Sequence, residues 1–255
     1  MFKITLAYDG TDYVGWQRQA SGISIQGLLE AALREFGDSD VPVAGAGRTD
    51  AGVHALGQVA SFALDRPIEA ATLVRALNAK LPADVRVLSA EAVRAAFHAR
   101  FDARAKTYRY RIAFGDVAMP FERRYVWHVP GALDLDAMAA AAQRFEGRHD
   151  FAAFQGTGSD AATTEREIFS SRVRVAQGFM GLEPPDRCGG SLCYEVTGSG
   201  FLRHMVRSIA GSLVEVGTGR RDPAWIDDVL ASRDRRLAGR TAPACGLFLT
   251  NVRYE

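Results

Sequence analysis

The clearest periodic pattern in the chain covers Thr107–Phe114, where the side chains alternate between two faces. One face carries Tyr108, Tyr110, Ile112 and Phe114, and the other carries Thr107, Arg109 and Arg111. Successive side chains of a β-strand point to opposite sides of a sheet, so the pattern predicts a strand with one apolar face. Any fold proposed for this chain has to bury that face.

Strand and helix patterns are mixed along the rest of the chain. Further strands are predicted at 2–8, 58–64, 85–93, 124–129, 167–176, 192–197 and 247–254. Helices are predicted at 24–36, 68–81, 135–145 and 201–216, with Asp134 as an N-cap and Asp222-Pro223 opening a further short helix. Residues 41–57, 157–165 and 178–190 read as loops.

No repeat or linker divides the chain. Because strand and helix patterns are mixed in each half, we predict an α+β fold of two similar α/β lobes. The N-terminal lobe is predicted at 1–104 and the C-terminal lobe at 105–255.

The composition is that of an ordinary globular protein, with 47% hydrophobic and 24% charged residues. The net formal charge of +1 by itself implies neither a nucleic acid nor a membrane as partner. Only three of the 31 basic residues are Lys, and the rest are Arg. Arg suits phosphate recognition, but a GC-rich coding sequence would explain this excess of Arg over Lys as well. There is no signal-peptide pattern and no apolar run of about 20 residues, so we expect a soluble, cytoplasmic protein.

The cysteines and histidines do not have the spacing of a metal site. Cys188, Cys193 and Cys245 form no CxxC pair, and the five histidines are scattered along the chain. We expect inert thiols in a reducing compartment and no bound metal.

The segment Gly45–His54 (GAGRTDAGVH) is a candidate for chemistry because glycines surround one Arg and one Asp. Glycine allows close approach to a ligand, and an Asp on such a loop can act as a nucleophile or a base. The alternative is a structural Asp that closes a tight turn and pairs with Arg48. The segment has neither the dinucleotide-binding fingerprint nor the GK[ST] ending of a P-loop.

Residues 94–124 carry eight basic and three acidic side chains, a net formal charge of +5, interleaved with the aromatic residues Phe97, Phe101, Tyr108, Tyr110 and Phe114. Cations for phosphates and rings for stacking are what a nucleic-acid-binding surface needs. An edge strand with a solvated basic face fits the pattern equally well. Further along the chain, the predicted helix at 201–216 places Arg203 and Arg207 four residues apart, and Arg207 in its apolar setting needs a carboxylate partner.

Taken together, these motifs resemble the bacterial tRNA pseudouridine synthases of the TruA family. Similar segments follow one another in the family's order: YDGTDYVGWQRQ (8–19), GAGRTDAGVHALGQVASF (45–62), FHARFDARAKTYRYRI (97–112), GFLRHMVRSIAGSLVEVG (200–217) and APACGLFLTNVRY (242–254). The resemblance implies a largely antiparallel mixed sheet shared by the two lobes, with helices packed on it and an active-site cleft between the lobes. It also implies an isomerase that converts uridine to pseudouridine at tRNA positions 38, 39 and 40, acts as a homodimer and uses no cofactor.

The resemblance also assigns roles to individual residues. Asp50 corresponds to the catalytic aspartate, Arg48 to the arginine that helps evert the target uridine, and Tyr108 to the aromatic residue against the uracil. Arg207 resembles the basic residue that pairs with the catalytic carboxylate. The segment formed by Phe97, His98, Ala99, Arg100 and Phe101 corresponds to an RNA-contacting segment, and Arg109 and Arg111 are further candidates for RNA binding.

Two other functions remain open from the residues alone. A binding module would use the same basic and aromatic surface without turnover. A metal-free nucleoside or glycoside hydrolase would use Asp50, but it normally needs a second carboxylic acid nearby, and none lies between Val41 and Leu64. The intact loop argues against an inactive module. Whether Asp50 forms a covalent adduct or deprotonates the sugar to give a glycal-like intermediate is open as well.

Overall fold

A computed structural model describes residues 1–34, 41–158, 161–176 and 189–255. The strands in these ranges are β1 (Phe2–Tyr8), β2 (Ala44–Gly45), β3 (His54–Phe62), β4 (Val85–Ala92), β5 (Ala105–Phe114), β6 (Trp127–Val129), β7 (Gly147–Asp150), β8 (Glu165–Ala176), β9 (Ser191–Gly198) and β10 (Leu247–Arg253). The helices are α1 (Ile25–Arg34), α2 (Ala70–Lys80), α3 (Leu135–Gln143), α4 (Met205–Gly217) and α5 (Trp225–Ser232). Short 3₁₀ turns lie at Ala152–Phe154 and Ala244–Gly246.

The chain forms two compact units, Met1–Arg104 with Phe248–Glu255, and Ala105–Leu247. In the first unit, β1 lies between β3 and β4 and pairs with both in antiparallel fashion. Every second side chain of β1 is buried, as its alternating sequence predicts. β10 joins β3 in parallel and β2 pairs with β3 antiparallel. α2 packs on β4, where the Asn78 side-chain amide bonds both the N–H and the C=O of Val87 at 2.8 Å. This sheet carries the Gly45–His54 segment between β2 and β3.

The second unit contains an antiparallel sheet in the order β5, β9, β8, β7, with β6 parallel to the end of β5. The predicted apolar face of β5 is buried: Tyr110 and Ile112 are 0% exposed. α3 packs on β8 and on α4, and the core of the unit includes the aromatic cluster of Phe145, Phe151 and Phe154. Asp134 caps α3 as predicted, since its carboxylate accepts the Ala137 N–H at 2.9 Å. The predicted α+β class is confirmed.

Two predicted boundaries are displaced by four residues in the structure, those at the start of β3 and of α4. Residues 41–57 are not all loop, because β2 lies within them and β3 begins at His54 rather than Gln58. At Gly57 the backbones of β3 and β10 approach so closely that a Cβ would be 2.5 Å from the carbonyl oxygen of Thr250. Only glycine permits this approach, which explains its position inside the strand. The helix predicted from Phe201 begins only at Met205, because His204 has a left-handed backbone (φ 60°) that interrupts the helical pattern.

Some predictions concern residues outside the described ranges. The end of the first predicted helix and its Gly37 stop fall in 35–40, most of the predicted 178–190 loop falls in 177–188, and Cys188 is in the same segment.

Candidate active site

Asp50 opens a tight turn in the first unit. The Val53 N–H donates to the Asp50 carbonyl at 3.1 Å, and Gly52 has the positive φ of +77° that such a turn requires. Thr49 is buried, whereas Arg48 is exposed and Asp50 is partly exposed. The turn therefore leaves both predicted functional side chains accessible while the residue between them is fixed in the core.

The chain that follows β1 packs closely against this turn. Trp16 N–H donates to the Thr49 carbonyl at 3.0 Å. Gly15 has a φ of +104°, and a Cβ there would lie 2.5 Å from the same Thr49 oxygen. Only glycine permits this approach, so the backbone on both sides of Asp50 has little freedom to move.

A buried histidine closes the C-terminal side of the turn. His54 is 1% exposed, and its ring stacks on Phe248 with centroids 4.6 Å apart. Its Nδ1 accepts the Gly10 N–H at 3.0 Å and lies 3.1 Å from Oδ1 of Asp9. These contacts hold the His54 ring against the two residues that follow β1.

Three polar side chains lie in the core next to Arg48 and Asp50. The Tyr8 hydroxyl is 2.8 Å from Thr49 Oγ1, and Gln58 Nε2 donates to the Gly47 carbonyl at 2.9 Å and to the Tyr8 hydroxyl at 3.4 Å. Burial raises the pKa of Tyr8 to about 12, so its hydroxyl keeps its proton at neutral pH. Sequence reasoning missed Tyr8 and Gln58, because both look like ordinary strand residues and Tyr8 lies 41 residues from Thr49 in sequence.

The segment Phe97–Phe101 divides into anchors and exposed groups. Phe97 packs on Tyr254 at 5.1 Å, and the Ala99 carbonyl accepts the Tyr254 hydroxyl at 2.8 Å. Phe101, in contrast, is 74% exposed, with the His98 ring 4.3 Å and the Arg100 guanidinium 5.7 Å from its centroid. Two of the five predicted RNA-contacting residues are therefore held in the core, and the other three offer a ring, an imidazole and a cation at the surface.

In the second unit, Tyr108 is 7% exposed and packs edge to face on Phe201 at 5.1 Å. The two arginines on the other face of β5 meet carboxylates: Arg109 contacts Glu195 at 2.6 Å and Arg111 contacts Glu122 at 2.9 Å. The Glu195 hydrogen bond raises the pKa of Arg109 above its usual value. These pairs offset both positive charges, so RNA contact by Arg109 and Arg111 stays a prediction.

Arg207 lies on the first turn of α4 and is held by Ala242. Its Nε donates to the Ala242 carbonyl at 2.8 Å, and the Ala242 N–H donates to the Arg207 carbonyl at 3.1 Å. Arg203 precedes the helix and donates to the Gly158 carbonyl at 3.0 Å. The predicted arrangement of Arg203 and Arg207 on one helix face is therefore wrong.

We expect no metal site and no membrane span in the described residues. In residues 1–34, 41–158, 161–176 and 189–255, no group of three His, Cys, Asp or Glu side chains comes together as a metal site would require. Over the same ranges, no helix combines the length and hydropathy of a membrane span. Neither Cys193 nor Cys245 is in a disulfide, and burial raises the pKa of both thiols.

A family model described as tRNA pseudouridine synthase matches residues 4–102 and 141–255, more than half of the chain. The chain belongs to the tRNA pseudouridine synthase family. Among its relatives, the tRNA pseudouridine synthase A of Myxococcus xanthus is 45% identical over 253 residues, covering 99% of this chain and 91% of the relative. That of Solibacter usitatus is 47% identical over 257 residues, covering 99% and 98%. That of Limosilactobacillus fermentum is 42% identical over 257 residues, covering 100% and 96%.

The family match covers the predicted site residues unevenly. Arg48, Asp50, the Phe97–Phe101 segment and Arg207 lie within the matched residues of this family member, whereas Tyr108, Arg109 and Arg111 fall in the unmatched stretch 103–140. The structure places Arg48 and Asp50 in the first unit, and Tyr108 and Arg207 in the second. The predicted pairing of Asp50 with Arg207 and the stacking of Tyr108 on uracil stay predictions.

Proposed function

We propose that this enzyme isomerises uridine to pseudouridine at positions 38, 39 and 40 in the anticodon stem-loop of tRNA, with Asp50 as the catalytic carboxylate. The observation that carries the proposal is the similarity to tRNA pseudouridine synthases over nearly the whole chain, which includes the Asp50 turn. The turn supports it, because its backbone is fixed by neighbours while the Asp50 side chain is partly exposed.

The reaction breaks the C1′–N1 glycosidic bond, turns the uracil and joins C5 to C1′. The C5 proton is lost and N1 gains a proton, so atoms and oxidation state balance without a redox cofactor. Asp50 starts the reaction either by attack on the nucleotide, which gives a covalent adduct, or by removal of a sugar proton, which gives a glycal-like intermediate. Both routes require the ionised carboxylate. On the basis of the resemblance, we assign Arg207 as the basic residue that pairs with this carboxylate.

The target uridine has to leave its stack before it can react, which costs roughly a few kcal/mol. Arg48 is exposed two residues before Asp50, and its planar guanidinium suits insertion into the space that the uridine leaves. We assign Tyr108 to pack against the everted uracil. Arg100 and Phe101 provide a cation and a ring for RNA at the surface.

We further propose that the enzyme acts in the cytoplasm as a homodimer, on the basis of the resemblance. Light scattering of the purified protein tests the homodimer, and a monomer at micromolar concentration contradicts it.

The decisive experiment is single-turnover conversion of unmodified tRNA by excess protein, with pseudouridine detected by nuclease digestion and chromatography. The parent protein should form pseudouridine at positions 38–40. Asp50→Asn should bind tRNA normally and form none, because asparagine keeps the shape and the turn but lacks the charge.

The matched control is Asp84→Asn in the same unit. Asp84 accepts the Tyr13 hydroxyl at 2.7 Å, and asparagine retains an acceptor oxygen for it, so this variant should convert uridine at the parent rate. Circular dichroism establishes that both variants are folded. If folded, tRNA-bound Asp50→Asn protein converts uridine at the parent rate, the catalytic assignment is wrong. Release of free uracil in place of pseudouridine would favour the hydrolase.

A further inference from the structure

Three buried polar side chains of the first unit have no part in the proposed chemistry. Tyr8 on β1 is 4% exposed, Thr49 in the loop is 6% exposed, and Gln58 on β3 is 0% exposed. Apolar side chains of similar size would fill the same space without the cost of removing polar groups from water. Their presence in the core calls for an explanation beyond packing.

The three side chains form one connected network. Gln58 Nε2 donates to the Tyr8 oxygen, so the Tyr8 proton is available for Thr49 Oγ1, 2.8 Å away. The other donor contact of Gln58 goes to the Gly47 carbonyl at 2.9 Å, and its Oε1 accepts the Val59 N–H at 3.1 Å. Both ends of the Gln58 amide are therefore used, and its orientation is determined by its partners.

The network connects the strands to the two residues that flank Arg48. Gly47 is held through its carbonyl and Thr49 through its hydroxyl, and Asp50 follows Thr49 directly. The opposite side of Thr49 is fixed as well, since its carbonyl accepts the Trp16 N–H at 3.0 Å. A shift of Thr49 would move both Arg48 and Asp50, because each shares a peptide bond with it.

We propose that Tyr8, Thr49 and Gln58 form a polar clamp that positions Arg48 and Asp50 for the reaction. This inference rests on the proposed function, because it takes Asp50 as the catalytic carboxylate. The three are positioning residues: they act through the backbone of 47–50 and contact neither uridine nor its sugar. Catalysis is sensitive to such placement, since a displacement of about 1 Å can lower a rate by roughly 100-fold.

The test compares Tyr8→Phe and Thr49→Val with Tyr194→Phe. Tyr194 is an apt control because its hydroxyl is also buried and lies 2.9 Å from a hydroxyl, that of Ser171, but in the second unit. All three substitutions remove one buried hydroxyl and should lower the melting temperature to a similar extent. At saturating tRNA, the two clamp variants should lose about 10- to 100-fold in single-turnover rate, and Tyr194→Phe less than about twofold. The dissociation constant for tRNA should change less than about threefold in each.

Two further variants separate the clamp from general packing. Thr49→Ser keeps the hydroxyl and removes only a methyl group, so its single-turnover rate should be close to that of the parent. The double variant Tyr8→Phe, Thr49→Val should be no slower than the slower single variant, because the two hydroxyls form one contact.

Two outcomes overturn the inference. One is a parent-like rate in both Tyr8→Phe and Thr49→Val; the other is a loss in Tyr194→Phe equal to theirs, which would reduce the effect to general destabilisation. Asp50→Asn measured in the same series separates this result from failure of the proposed function. An inactive Asp50→Asn beside fully active clamp variants refutes the clamp alone, whereas an active Asp50→Asn refutes the catalytic assignment itself.

Discussion

Arg48, Thr49 and Asp50 are adjacent in sequence but differ in environment. Thr49 is buried, while the residues on either side of it are more exposed. The Gly-rich motif around them predicts a loop with catalytic side chains. In the structure, Asp50 begins a turn that is closed by the hydrogen bond from the Val53 N–H. The partners of the loop could not be predicted, because Tyr8 lies 41 residues from Thr49 and only strand pairing brings them together.

At this scale we predict that Arg48→Ala slows base eversion more than it weakens binding. Arg48 is one of 31 basic residues in the chain, so its loss should lower tRNA affinity less than about threefold. The single-turnover rate should fall by about 10- to 100-fold, because the vacated stack is left unfilled. Arg48→Lys should recover only part of the rate, since an ammonium group cannot stack as a planar guanidinium does.

Stopped-flow fluorescence with 2-aminopurine beside the target uridine reports eversion directly. Arg75→Ala is the matched control, since Arg75 is an exposed arginine of the same unit on α2 and should behave like the parent. Full activity in Arg48→Lys, or equal losses in Arg48→Ala and Arg75→Ala, would contradict this role.

At the scale of elements, regular patterns predicted the strands and helices well, and special backbone geometry explains the errors. β1 and β5 follow their alternation, and Asp134 caps α3 as its position before the helix suggests. The start of α4 could not be predicted, because nothing in the local sequence requires His204 to adopt a left-handed backbone. In the same way, the glycine inside β3 is explained by β10, which is about 190 residues further along the chain.

The contact of α4 with residues 239–243 leads to a prediction about Gly211. A Cβ at this position would lie 1.7 Å from the Arg240 carbonyl oxygen, a backbone atom, so Gly211→Ala has to displace one of the two segments. We expect a loss of about 2–3 kcal/mol in the free energy of unfolding, despite the better helix propensity of alanine. The rate should fall as well, because Ala242 in the displaced segment holds Arg207 at 2.8 Å.

Urea unfolding and single-turnover conversion test this prediction together. Gly200→Ala is the matched control in the same unit, since a Cβ there would meet no atom closer than 3.8 Å, and it should change stability by less than about 0.5 kcal/mol. A Gly211→Ala protein as stable as the parent would mean that the two segments separate at little cost.

At the scale of the whole molecule, composition predicts a globular protein but not the path of the chain. The last eight residues, Phe248–Glu255, belong to the first unit, while the 105–247 segment before them forms the second. The sequence alone predicts these eight residues as part of the C-terminal lobe, because contacts between distant segments leave no local signal. The net charge of +1 likewise conceals the excess of basic residues in 94–124, part of which is offset by Glu195, an acid outside that stretch that pairs with Arg109.

Buried tyrosines in both units predict how the stability of the molecule depends on pH. Burial raises the pKa of Tyr8 to about 12 and also raises the pKa of Tyr110 and Tyr194. The folded state therefore holds these phenolic protons more tightly than the unfolded chain, in which the pKa is about 10. Their contribution to stability is complete below pH 10 and is lost as the pH rises from 10 towards 12, by up to about 1.4 kcal/mol per pH unit for each tyrosine.

Urea unfolding between pH 8 and 11.5, with tyrosinate absorbance at each pH, should show a plateau followed by this decline. Tyr8→Phe and Tyr194→Phe should each make the decline shallower, because phenylalanine has no proton to lose. Ionisation of all the tyrosines near pH 10 in the folded protein would contradict the prediction.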